Sequence, residues 1–224
     1  MRLISTADDE LYGLASAAGK LGRADKLLGR LAEACRADPA DAEAAGRFAL
    51  AQMAVLPSIG IEFAAHARFT ATVESLGDAL SLDPDHWLAR YSRARLRALI
   101  PSSYGTYSVQ TSDDLKAARD DLDHLLGRQA DLPRQPYFIS THALAAVVDQ
   151  LGGDPAGDDS PALLDALHAV PRTPIRLVAL GAVLCEPLAT LYAGSAEGPQ
   201  RRAIGDVMRA VYGAQPVVAS LVGR

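Results

Sequence analysis

The sequence predicts an all-α protein: an α-solenoid of antiparallel helix pairs closed by a C-terminal helical cap. Three observations carry that expectation. Leu80-Ser81-Leu82-Asp83-Pro84 echoes Ala34-Cys35-Arg36-Ala37-Asp38-Pro39 about 45 residues earlier, and Ile100-Pro101-Ser102 echoes Leu56-Pro57-Ser58. Apolar residues recur at three- and four-residue steps along most of the chain, the period of a helix with one buried face. Helix formers dominate a composition that is 49% apolar but only 5% aromatic, while β-branched runs are few. A helix pair repeated in this way cannot bury its apolar face alone and must stack on its neighbours.

Each element follows from a stripe. Ala24, Leu28, Leu31 and Cys35 form the first, and Phe69, Val73, Leu76 and Leu80 the next. Leu115, Ala118, Leu122 and Leu125 mark a third helix, followed by Tyr137, Thr141, Leu144, Val148 and Leu151. Leu177, Leu180, Leu184, Leu188 and Leu191 precede Ile204, Val207, Met208 and Val211 near the end. Pro216 to Val222 reads as a short terminal helical lid. The total expected is ten or eleven helices and no sheet.

The pairs Asp38-Pro39, Asp83-Pro84, Gln135-Pro136, Ser160-Pro161, Thr173-Pro174, Gly198-Pro199 and Gln215-Pro216 are expected to open helices. Proline at the first helical position gives up no hydrogen bond, because its missing N–H would have no intrahelical partner there. Asp154 to Ser160, rich in turn formers and acids, reads as a loop. The helical pattern resumes at once in Pro161-Ala162-Leu163-Leu164, so 1–224 is expected to form a single helical domain. Its clearest repeats span 20–130, and a divergent helical part spans 133–224.

Charge and composition exclude several classes. A formal charge of -5 and a pI near 5.5 argue against general affinity for nucleic acid or an anionic membrane, whose phosphates demand clustered cations. Met1 to Thr6 run directly into Asp8-Asp9-Glu10, without the apolar core of a signal peptide. No stretch approaches the roughly 18 apolar residues of a membrane span, so a cytoplasmic location is expected. Cys35 and Cys185 are too few for a disulfide framework and are expected as buried free thiols.

The spacing of large, small and proline residues resembles tetratricopeptide-repeat proteins. Leu76, Ala79 and Pro84 match the positions that close a unit, and Ala94 stands where the next unit needs a small residue. Leu31 and Pro39 repeat the large-residue and proline positions, with Ala34 and Ala49 at small ones. The family unit is about 34 residues, whereas the echo here is about 45, with the excess around Pro57-Ser58-Ile59-Gly60 and Pro101 to Gly105. Trp87 lies three residues after Pro84, where the family pattern wants its aromatic at Arg90. Long inter-helix turns beginning Leu-Pro or Ile-Pro look like those of a divergent subset of bacterial repeat proteins. The resemblance implies a non-catalytic adaptor or chaperone-like scaffold that presents a groove to a protein or peptide.

In that resemblance the first helix of each unit lines the groove. Arg90, Arg93 and Arg97 share a face of such a helix, and guanidinium forks suit a partner with an acidic segment. They also suit an ion-pair network with Asp113, Asp114, Asp120, Asp121 and Asp123 of the following helix. Trp87 and Tyr91, four residues apart, read as core or as groove aromatics. Arg47, beside Phe48, holds the corresponding place one unit earlier. Tyr104 and Tyr107 stand in the uncharged run Pro101 to Thr111, a connection long enough to serve as a contact lip.

No catalytic residue, metal ligand or cofactor is expected. His66, His86, His124, His142 and His168 are isolated from one another and make neither His-x-x-x-His nor His-Glu-x-x-His. Asp120-Asp121-Leu122-Asp123-His124 resembles the magnesium-diphosphate aspartates of helical prenyl enzymes but lacks their second motif, and reads as a solvated face. Phosphate cradles and a Gly-x-Ser-x-Gly elbow are absent from the sequence. Two alternatives stay open: a small all-α enzyme with a site assembled across helices, and the sensing domain of a peptide-responsive regulator.

Overall fold

The computed structural model describes residues 1–59, 62–99, 111–152, 163, 165–166, 168, 181–195 and 197–212. Among them are nine α-helices, two single-turn 3-10 helices and one isolated parallel bridge between Arg2 and His86. The terminal lid, the loop from Asp154, Tyr104 and Tyr107, and the pairs at Pro161, Pro174 and Pro216 lie outside the described residues. The chain divides into two compact units, Met1–Ala117 and Ala118–Arg224.

In the first unit, helix α1 (Thr6–Lys20) opens on a reciprocal cap. The Asp8 N–H donates to Ser5 Oγ at 3.3 Å, and the Ser5 N–H donates back to Asp8 Oδ2 at 2.8 Å, so two otherwise orphaned donors are satisfied. Helix α1 ends where Gly22 takes a φ of +66°, a conformation that favours glycine. The Arg23 N–H then reaches Ala18 O at 2.8 Å and the Gly22 N–H reaches Gly19 O at 3.0 Å, closing the last turn.

Helix α2 (Ala24–Ala37) buries only Leu28 fully. Cys35 is therefore half-buried rather than enclosed, which corrects the expectation of a core thiol, and burial still pushes its pKa up. Helix α3 (Ala42–Val55) is the central element, and every residue from Ala49 to Val55 is buried. It packs against α1, α2 and helix α4 (Glu62–Leu82), and it also touches helix α5 (Trp87–Ala98), which rests on α4. Ala15, Ala51 and Ala54 meet Leu28 and Val55 in a core cluster flanked by Leu11, Leu31 and Phe48. Small side chains there let three helices approach closely. The added length between the helices of the pair is taken up by the 3-10 turn Leu56–Ser58 and by the 21 residues of α4.

Helix α6 (Ser112–Gln129) begins with a second reciprocal cap, between Thr111 and Asp114. The division between the units falls within this helix. In the second unit, Arg119 Nη1 donates to Asp149 Oδ2 at 2.6 Å, and Gln129 Nε2 donates to Thr141 Oγ1 at 2.8 Å. The two contacts run in opposite sequence order, so α6 lies antiparallel to helix α7 (Ile139–Gly152), which a 3-10 turn at Pro136–Phe138 introduces.

Helix α8 (Gly181–Gly194) packs on α7 and on helix α9 (Pro199–Tyr212). Ile204, Val207 and Met208 of α9 are buried as their stripe predicts, whereas Leu151 at the end of the α7 stripe is exposed. The Arg201 guanidinium lies 4.6 Å from the centre of the Tyr192 ring, a cation–π contact across the α8–α9 turn.

The prolines of the echo correct one expectation. Pro199 does open α9, but Pro39 and Pro84 stand in turns outside the helices. The caps are Asp41 and His86, two residues further on.

Candidate functional site

The two echoed turns have the same backbone construction. At Asp38 and at Asp83 the side-chain carboxylate accepts the N–H two residues on, from Ala40 and Asp85, each at 3.1 Å. The backbone carbonyls of the same residues accept from the Asp41 N–H at 3.2 Å and the His86 N–H at 3.1 Å. An Asx turn of this kind ends one helix and aims the next. Asp41 then caps α3 by accepting from the N–H groups of Glu43 and Ala44, whereas His86 caps α5 by accepting from Ala89 N–H through Nδ1 at 3.3 Å.

Around His86 lies a dense polar cluster. The Arg2 guanidinium makes a two-pronged contact with Glu43, Nη2 to Oε1 at 2.8 Å and Nε to Oε2 at 2.5 Å, and a further bond to Asp8 Oδ1 at 2.8 Å. Arg2 Nη1 also lies 3.1 Å from His86 Nε2, and the Arg2 carbonyl accepts the Trp87 N–H at 3.0 Å. Arg47 Nε shares the Glu43 Oε1 atom with Arg2, at 3.1 Å. Asp8 is 2% exposed, against 24% for the Arg2 side chain and 40% for Glu43, so Asp8 is the desolvated member of the set. Gly46 makes room for the ring, because a Cβ there would stand 2.7 Å from His86 Nε2.

The electrostatics follow from the contacts. Burial disfavours the charged form of Asp8, yet the Arg2 guanidinium and the Ser5 N–H and hydroxyl outweigh it and hold the carboxyl below its usual range. Burial likewise opposes the charge on Arg2, but its bonds to Asp8 and Glu43 raise its pKa further. His86 is pushed down, first by burial and then by the Arg2 charge, against the opposite pull of Asp83, Asp8 and Glu43.

Helix α5 continues from this clasp. All of its positions that are not buried are arginines: Arg90, Arg93, Arg95 and Arg97. Arg90, Arg93 and Arg97 fall within one narrow face at helical spacing, with Arg95 on the opposite face. Arg90 turns back through Nε and Nη2 onto Pro84 O at 3.0 and 2.6 Å, fastening the turn to the helix. Arg93 lies over α4, 3.7 Å from where a Gly77 side chain would begin.

Trp87 and Tyr91 are both fully buried and stack at 4.8 Å with their planes 9° apart. They are core residues and offer no surface to a partner, which corrects the groove-aromatic expectation in favour of its core alternative. Arg47 is exposed but engaged with Glu43, and Phe48 packs on the core cluster.

The aspartates of α6 divide their roles. Asp114 caps the helix, Asp123 bonds Arg119 at 3.0 Å, and Asp121 is buried, so the run is not wholly a solvated face. Among the described residues, no group of three or more His, Cys, Asp or Glu side chains gathers where it could hold a metal ion. No helix among them is long and apolar enough to cross a membrane.

Sequence reasoning singled out the arginines of α5 but missed Arg2, Asp8 and Glu43. Two signals were present: the Ser5-x-x-Asp8 spacing of a capping box, and the histidine standing in the echo where the first turn has Asp41.

The protein is all-α among its described residues, with neighbouring helices packed on one another. Comparison with protein-family models, curated proteins and solved structures found no match.

Proposed function

We propose that the chain is a non-catalytic binding scaffold, a divergent tetratricopeptide-like stack of helix pairs that holds an acidic segment of a protein or peptide partner in the cytoplasm. The observation that carries this reading is the composition of α5. A helix whose every part-exposed position is arginine carries three of its four cations along one face of a rod that begins in a fixed turn. Fork-shaped guanidiniums recognise carboxylates with directionality that lysine lacks. Support for the stacked architecture comes from the two identically bonded turns, which set successive helix pairs going in the same way.

The test is binding of fluorescein-labelled peptides rich in Asp and Glu, read by anisotropy, with neutral and Lys-rich peptides as controls. Arg93→Glu combined with Arg97→Glu should weaken capture of the acidic peptides at least about tenfold, the effect of losing one to two charge-assisted hydrogen bonds, while the variant stays folded by circular dichroism. Unfolding of the double variant would assign both arginines to the fold, and equal binding of all the peptides would remove the reading.

A further inference from the structure

His86 stands between two hydrogen-bond donors. The Ala89 N–H faces Nδ1 at 3.3 Å, and the Arg2 guanidinium faces Nε2 at 3.1 Å. A neutral imidazole has one acceptor nitrogen and one N–H, so whichever tautomer it adopts, one of the two donors meets another donor. The imidazolium has no acceptor at all. Protonation would therefore cost α5 its side-chain cap and set a second cation against Arg2 in a site where His86 is 3% exposed.

We propose that His86 is a proton-operated catch, whose protonation releases Arg2 and the segment it anchors from the start of α5. The parts of a two-state device are in place. The first residues are held to α5 by the Arg2 carbonyl bond to Trp87 N–H, and to α1 and α3 by the guanidinium bonds to Asp8 and Glu43. With Arg2 in, the guanidinium neutralises these carboxylates and bars the imidazolium. With Arg2 out, Asp8 and Glu43 remain, with Asp83 of the turn, to balance a charged ring. Arg47, one helical turn along α3, keeps its pairing with Glu43 in either state. Gly46 matters because the ring occupies the space that any side chain there would take.

The sign follows by linkage. Burial and Arg2 lower the folded-state pKa of His86 below the ordinary histidine value of 6.5. The released state thus binds the proton more tightly, and the clasp is fully stable above that pH. It weakens as pH falls from there toward the folded value, by up to about tenfold in the opening equilibrium per pH unit. Asp8, itself held low, stays ionised throughout this window.

The experiment is hydrogen exchange of the Trp87 amide, corrected at each pH for its intrinsic rate, from about pH 7.5 to about pH 5.5, where an ordinary histidine changes charge. Nitrogen NMR of the His86 ring is followed in the same samples. Protection should fall by up to about tenfold per unit as pH drops below about 6.5, before the enclosed ring itself becomes charged. In His86→Asn, which can still cap α5 through its side-chain oxygen, it should stay level. A ring that becomes charged while the Trp87 amide remains protected would overturn the proposal. So would protection that stays level from about pH 6.5 downward, or that falls with the same pH profile in His86→Asn. If the variant does not fold, the two wild-type curves decide by themselves.

Discussion

In the turn from Asp38 to Asp41 the capping side chain is a small carboxylate in water; in the turn from Asp83 to His86 it is an imidazole enclosed beneath the first residues of the chain. The hydrogen bonds that make the two turns correspond one for one. Their surroundings do not. The Asp41 side chain supplies two bonds to α3, while His86 is set among Arg2, Asp8 and Glu43. A repeated backbone motif therefore fixes how a helix begins without fixing what its cap is coupled to. The coupling comes from residues more than 40 positions away in sequence.

The contrast can be broken most severely at Asp8. Asp8→Ala removes both the second half of the α1 capping box and the buried partner of Arg2, and should lower unfolding free energy by about 3 kcal/mol; denaturant titration gives the value. The Asp8 carboxyl has a lowered folded pKa, so its contribution is present above the ordinary aspartate value of 3.8 and lost as pH falls through the folded value. The variant should correspondingly show a flatter acid limb than the wild type, and an unchanged limb would show that the pairing contributes little.

Gly46→Ala comes next. Its methyl would start 2.7 Å from His86 Nε2, in a place where the ring is held by the cap of α5. The expected loss is about 2 kcal/mol, that of overfilling a packed site. The same substitution at Gly29, in α2 with nothing within 4 Å of the added carbon, should instead stabilise by somewhat under about 1 kcal/mol, as alanine does in an open helix. Opposite signs in the two melting temperatures would distinguish the crowded α3–α5 approach from an open helix surface.

Asp41→Ala should have the smallest effect among the destabilising changes, about 1 kcal/mol for a lost helix cap. Its stability profile between neutral pH and about pH 5.5 should parallel that of the wild type, since only the second turn carries a histidine. A changed slope there would mean that the two turns are coupled after all.

The helical class was legible because burial on one face leaves a period that a single sequence displays. Leu28, Leu76, Ala118, Leu122, Leu144 and Met208 are all buried where their stripes place them. The stripes began at Ala24, however, and so did not announce α1, whose start is written in Ser5 and Asp8 rather than in an apolar run. The echo at Asp-Pro was real, but proline was given the wrong office. A side chain that accepts the N–H two residues on makes Asp the organiser of a turn, and the helix starts only after that turn is complete.

The aromatic pair could not be placed from spacing, since residues four apart share a face whether that face is inside or outside. Arg2, Asp8, Glu43 and His86 come from four separate segments, and no local pattern records their meeting.

The arginines of α5 also carry a consequence for proteolysis. Trypsin cuts after arginine, and α5 holds four such bonds within its twelve residues, while α3 holds only the one after Arg47. In the folded helix these bonds are shielded, because a protease needs an extended segment of chain in its cleft. Each local opening of α5 would expose all four together, so the rate at which its fragments accumulate under dilute trypsin measures the fraction of molecules in which that one helix stands open.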